Sequence, residues 1–158
     1  MSYRVTFVCT GNICRSPMAE HIFRGHAEDA GLDVAVDSSG TGHWHVGDAA
    51  DERTVATLRR AGYRSAHRAR QFEVGWFDRY DLIIALDQSH QADLRHMALD
   101  GEARGKVRLL REFDPDARDL DVADPYYGRA SAFEEVREQI EAAVPGLIEH
   151  IRQMMKER

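Results

Sequence analysis

The sequence predicts an α/β fold: a single doubly wound domain in which a four-stranded parallel sheet carries helices on both faces. Apolar runs of strand length alternate with stretches whose apolar residues recur every three or four positions. One of those runs, DLIIAL from Asp81 to Leu86, is apolar on both faces, as a central parallel strand must be. The chain has 158 residues, 43% hydrophobic and 30% charged, which suits one domain over residues 1–158 with one core.

The elements follow in order. The first strand runs from Tyr3 to Cys9. After Pro17, Ala19, Ile22, Phe23, Ala27 and Ala30 mark one helix face, and Gly31 supplies the stop. A second strand spans Asp33 to Ser38. Asp48 is placed to cap a helix carrying Val55 and Leu58, closed by Gly62. The third strand is Asp81 to Leu86, a short helix follows from about Gln91 to Leu99, and the fourth strand is Lys106 to Leu110. The last helix opens on Ser131-Ala132-Phe133-Glu134, a capping-box pattern, with Phe133, Val136, Ile140, Val144, Leu147 and Ile151 as its stripe. Pro145 lies within that stripe and is expected to kink or break the helix. In folds of this class ligands sit at the carboxyl ends of the strands, so function is sought just after Cys9, Ser38, Leu86 and Leu110.

Composition removes several classes. A net charge of −6 argues against a nucleic-acid partner, whose backbone selects a basic stripe. No apolar run is long enough to span a membrane, and MSYRVTFVC is too short for a signal peptide. Two cysteines five positions apart form no disulfide framework, so a reducing cytoplasm is the expected compartment. Cys9 and Cys14 with His21 and His26 imitate paired zinc ligands. The gap between the pairs is too short for such a site, and no metal is expected to take part in the chemistry.

The chemistry concentrates in VCTGNICRSPMAE, Val8 to Glu20. Cys9 ends a strand and a helix begins near Pro17, a residue that loses no hydrogen bond there. Gly11 and Asn12 best tolerate positive φ, so Thr10, Gly11, Asn12, Ile13, Cys14 and Ser16 can turn successive backbone N–H groups inward as an anion nest. The helix N-terminus adds donors and the positive end of its dipole. Donors that hold phosphate also hold a thiolate, and the Ser16 hydroxyl adds one more hydrogen bond. Arg15 can grip two phosphate oxygens bidentately, which Lys does poorly. Cys9 is then placed to attack phosphorus in line, with no cofactor, because the loop itself supplies the positive potential.

The segment from Cys9 through Pro17 resembles, without a departure, the phosphate-binding loop of the low-molecular-weight protein tyrosine phosphatases of bacterial type. The similarity extends along nearly the whole chain. Asp37-Ser38 followed by Trp44-His45-Val46-Gly47 is similar to the family's second-strand exit and variable loop, Ser65 to Gln71 to a further segment, and Asp124-Pro125-Tyr126-Tyr127-Gly128 to its acid loop. The resemblance implies a phosphocysteine mechanism on phosphotyrosine-containing proteins, with inorganic phosphate as product. It makes Asp124 the general acid and base, Ser38 and His67 the braces of a strained Asn12, and Ile13, Trp44, Tyr126 and Tyr127 the walls of a cleft for the phenyl ring. Asp124 also stands out physically, because Pro125 forces it into an extended conformation on the connection after the fourth strand. Asp119 and Asp121 are chemically able to replace it. Cys14 is expected to act in redox protection of Cys9, or else to pack the loop as a small hydrophobe.

Three other readings share the loop. Arsenate reductases of this fold need further cysteines to relay a disulfide, and this chain has only Cys9 and Cys14. Protein-arginine phosphatases carry Thr where this chain has Ile13 and lack the paired tyrosines. A phosphate-binding module without catalysis would not need Cys9, Arg15 and Asp124 together.

Overall fold

A computed structural model describes residues 2–158. Strands β1 (Tyr3–Cys9), β2 (Val34–Gly40), β3 (Leu82–Ala85) and β4 (Val107–Leu109) form one parallel sheet in the order β2-β1-β3-β4. The chain leaves β1 toward β2 on one side and returns to β3 on the other. The strand order therefore switches at the carboxyl end of β1, where doubly wound sheets place their ligands.

Helices cover both faces. Val5, Phe7 and Cys9 of β1, with Leu82 and Ile84 of β3, point toward α1 (Arg15–Asp29) and α5 (Ala130–Lys156). Val8, Ile83, Ala85, Val107 and Leu109 point the other way. They meet Phe72, a 3-10 turn at Val74–Arg79, and α3 (Gln88–Met97). Both clusters are hydrophobic and β1 is buried on both sides from Val5 onward, so the strand that ends in Cys9 is held from above and below. The remaining helices are α2 (Glu52–Arg60) and the short α4 (Gly101–Gly105).

Several boundaries differ from the sequence expectation, each for a local reason. Helix α1 begins at Arg15, so Pro17 is its third residue, still within the first turn where an N–H has no intrahelical acceptor. Gly31 and Gly62 close α1 and α2 with φ of 65° and 87°, as expected. The cap of α2 is Asp51, whose side chain accepts from the Arg53 N–H, while Asp48 pairs with His45. Helix α3 starts earlier than expected, at Gln88, because Asp87 accepts the His90 N–H. Helix α5 starts at Ala130 with no side-chain cap, and Glu134 is drawn instead to Arg60 and Arg137.

Pro145 neither ends nor interrupts α5, which runs unbroken for 27 residues. The proline lies on the exposed face, where water can satisfy the carbonyl it leaves free, and Val144 and Leu147 anchor the helix on either side. Gly146 lets the helix touch the turn at Leu110–Phe113 closely: a Cβ there would lie 2.1 Å from the Phe113 carbonyl oxygen.

Candidate active site

The loop from Thr10 to Cys14 joins β1 to α1 and curls at the carboxyl edge of the sheet. Its shape depends on Asn12, which is fully buried and has φ 56°. Among the described residues it alone, apart from glycines, is left-handed. Every polar group of its side chain is engaged. Its Nδ2 donates to Ser16 Oγ at 2.8 Å and Ser38 Oγ at 3.0 Å, and its Oδ1 accepts the Arg70 N–H at 2.9 Å. His67 Nε2 lies 2.6 Å from its carbonyl oxygen. The Ser38 hydroxyl donates in turn to Glu20 Oε1 at 2.6 Å. These contacts offset the unfavourable backbone region, which costs of order 1–3 kcal/mol.

Two glycines serve close approach rather than unusual φ. A Cβ on Gly11 would come within 2.9 Å of the His45 ring. One on Gly40, at the end of β2, would meet the Thr10 carbonyl oxygen at 2.5 Å. The loop is thus folded tightly against the strand beside it.

Cys9 and Cys14 are both buried free thiols. Cys9 Sγ is 2.9 Å from Ser16 Oγ, which also accepts from Asn12 and so can turn its proton toward sulfur. Cys14 differs in character. Burial, then the charges of Asp51 and Cys9, push its thiol up to about 12, so it stays protonated.

Arg15 is buried, and its guanidinium is held from behind: NH1 donates to Asp87 at 2.8 Å and to the Val122 carbonyl at 3.0 Å. Burial alone would raise the Asp87 carboxyl. Hydrogen bonds from Ser89, the His90 N–H and Arg15 outweigh it and hold Asp87 at about 2. Its folded value is depressed, so its contribution to stability is present above the ordinary carboxylate range near 4 and is lost only as pH falls through about 2. Arg15 therefore keeps its anchor at any ordinary working pH. One Asp87 oxygen caps α3 while the other holds Arg15, which couples that helix to the loop. His90 lies 2.8 Å from Thr10 Oγ1, and burial pushes it down to about 4, so it is neutral there.

Asp124 stands opposite. Its carboxylate is 3.8 Å from Arg15 NH2, its side chain is 58% exposed, and it accepts the Tyr126 N–H at 3.1 Å. The two alternative acids are committed elsewhere: Asp121 accepts the Gln88 N–H at 2.8 Å, and Asp119 accepts from Arg111 and the Asp121 N–H. A cleft of about 230 Å³ opens above Cys9 and Arg15, walled by Ile13, Trp44, Asp124, Tyr126 and Tyr127. Trp44 stands out from the core, 69% exposed and stacked on His43. All of the sequence-predicted site residues thus lie in this cleft or directly behind its floor.

Sequence reasoning missed Asp87 and His90, which follow β3 at a place already marked as functional, and Arg53. The Arg53 guanidinium donates to the Tyr126 and Gly128 carbonyls and to Asp51, so α2 supports the loop that carries Asp124. No local motif announces such a contact across 73 residues.

A tightly curled loop, a strand-end cysteine, a buried arginine and a facing carboxylate on a four-stranded doubly wound sheet define a cysteine-based phosphatase architecture. The model of the low molecular weight phosphotyrosine protein phosphatase family matches residues 4–157, and the chain belongs to that family. It is 54% identical over 162 aligned positions to the low molecular weight protein-tyrosine-phosphatase of Streptomyces coelicolor, covering 100% of this chain and 99% of the relative. Among solved structures, the Entamoeba histolytica protein tyrosine phosphatase with Hepes in its active site superposes with a TM-score of 0.93 at 29% identity, over 98% of this chain and 99% of that one. The YwlE arginine phosphatase, as a Cys-to-Ser variant with a phosphorylated active-site serine, superposes at 0.85 with 29% identity, over 94% and 95%.

Proposed function

We propose that residues 1–158 form one phosphatase domain that hydrolyses phosphotyrosine in proteins through a phosphocysteine on Cys9. The observation that carries this reading is the placement of Cys9 Sγ against Ser16 Oγ, on the floor of a cleft that Arg15 and Asp124 face from two sides. Cys9 attacks phosphorus while the loop amides of Thr10 through Ser16 and the Arg15 guanidinium stabilise the equatorial oxygens. Asp124 gives its proton to the leaving phenolic oxygen. It then takes one from the water that hydrolyses the phosphocysteine, releasing inorganic phosphate and the thiolate. A phosphorylated serine in the YwlE variant is in keeping with covalent transfer at this position.

The cleft walls support tyrosine as the leaving group. Trp44, Tyr126 and Tyr127 offer flat apolar surfaces to a phenyl ring. Ile13 offers no hydroxyl to a guanidinium. Ile13→Thr is therefore expected to raise kcat/KM for a phosphoarginine peptide relative to its phosphotyrosine counterpart, by about tenfold for a single added polar contact. A parent enzyme that already prefers phosphoarginine would overturn the substrate assignment.

Cytoplasmic placement fits a reaction that needs Cys9 as a free thiol, and no helix of the described residues is long and apolar enough to cross a membrane. Peroxide converts the Cys9 thiolate to a sulfenic acid, and Cys14 then displaces water from it to give a disulfide that a thiol reductant reverses. Cys14→Ser should retain most turnover yet lose it irreversibly after peroxide, as measured by recovery with dithiothreitol. Full recovery of Cys14→Ser would leave Cys14 as a packing residue.

A further inference from the structure

The loop that carries Asp124 draws its long-range hydrogen bonds from one side chain. Among the described residues, the only hydrogen bonds that reach residues 124–128 from elsewhere in the chain come from Arg53. Its NH2 donates to the Tyr126 carbonyl at 2.9 Å and its NH1 to the Gly128 carbonyl at 3.0 Å. Tyr126 is the link to the carboxylate. Its N–H donates to Asp124 at 3.1 Å while its carbonyl receives Arg53, so a single residue stands between the guanidinium and Asp124.

Arg53 is itself fixed. Its Nε and NH2 donate to the two oxygens of Asp51 at 3.1 and 3.0 Å, and its guanidinium carbon lies 4.5 Å from the centre of the Phe133 ring. The Arg53 side chain holds the Asp51 carboxyl below its ordinary range, so the pair stays charged. Asp51 also touches the loop that follows Cys9: its N–H donates to the Ile13 carbonyl at 2.9 Å. The start of α2 thus meets the Thr10–Cys14 loop through Asp51 and the Asp124–Gly128 loop through Arg53.

We propose that Arg53 is a positioning residue for proton transfer, holding Asp124 in its place opposite Arg15; the role rests on Asp124 acting as the general acid. A planar fork is required, because the Asp51 carboxylate and two carbonyls surround one group, and an ammonium cannot span them. Without the fork the loop loses its tie to α2, and a misplacement of about 1 Å can cost about 10²-fold in rate. The side chain's hydrogen bonds go to Asp51, Tyr126 and Gly128, so phosphate binding in the Thr10–Cys14 loop is left alone.

The test compares Arg53→Met and Arg53→Lys with the parent on a phosphotyrosine peptide and on an aryl phosphate with an already good leaving group. For the peptide, kcat/KM should fall by about tenfold or more in Arg53→Met, through kcat, while the activated aryl phosphate stays within about twofold. Arg53→Lys keeps the charge and the stem but not the fork. It should show the same pattern at smaller size, and it carries the comparison by itself if Arg53→Met does not fold. Affinity for inorganic phosphate by calorimetry should match the parent. In an Asp124→Asn background, Arg53→Met should cost the peptide nothing further. Equal losses on both substrates, a full additional loss in the Asp124→Asn background, or no loss on the peptide in either variant would overturn the role. Asp124→Asn alone separates this claim from the one beneath it. Leaving-group dependence there without any in the Arg53 variants overturns Arg53 only, and its absence from all of them overturns the acid assignment as well.

Discussion

Cys9→Ser is expected to abolish turnover of phosphotyrosine peptides, lowering kcat/KM by roughly 10⁴-fold or more, because a nucleophile that works as a unit with its site is not replaced by its neighbours. Phosphate binding should survive. The loop's curvature is set by Asn12, and Arg15 is anchored by Asp87 and the Val122 carbonyl. None of these contacts passes through the Cys9 sulfur. The serine hydroxyl is close in size and keeps a partner in Ser16. The expected pair of results is therefore lost turnover with retained affinity for inorganic phosphate by calorimetry. A serine variant within about tenfold of the parent rate would exclude Cys9 as nucleophile.

Asp124→Asn should have the next largest effect. General acid catalysis contributes about 10²–10⁴-fold, and the loss should approach that range for phosphotyrosine, whose phenolic oxygen leaves poorly without a proton. An aryl phosphate with an already good leaving group needs less protonation and should lose much less. Folding should not suffer, since the side chain is more than half exposed and its one backbone acceptor contact can be kept by the amide oxygen. The limb of the kcat/KM pH profile that reports the acid should disappear with the carboxylate. Equal losses for good and poor leaving groups would remove Asp124 from the role. Attention would then turn to another proton donor, although Asp119 and Asp121 are both tied into structural hydrogen bonds.

The strands of the parallel sheet and the place of the site were legible in the chain because both rest on short-range signals. DLIIAL could be read as a buried strand from its own composition. The change from strand to helix across Cys9–Pro17 placed an anion nest before any contact was known. Helix ends were read less well, since several residues compete for each cap. Asp48 and Asp51 are both able to cap α2, and the one that wins is the one Arg53 also holds. Pro145 showed the opposite failure: a strong local rule yields when the ring faces solvent and the neighbours on both sides are buried. The supports of the site were the least legible. Asp87 looks like an ordinary helix cap, and only the fold brings it across 72 residues to Arg15. Arg53 looks like a surface residue until the Asp124–Gly128 loop is laid over it.

The central claim is that phosphate passes through a covalent bond to Cys9. Rapid acid quench of the wild-type enzyme during steady turnover of a ³²P-labelled phosphotyrosine peptide, followed by mapping of the labelled residue, tests it most directly. Label on Cys9, accumulating further in Asp124→Asn where hydrolysis of the intermediate loses its base, is the expected result. Label on a histidine or serine, or turnover with no trapped phosphoenzyme in either protein, would contradict it.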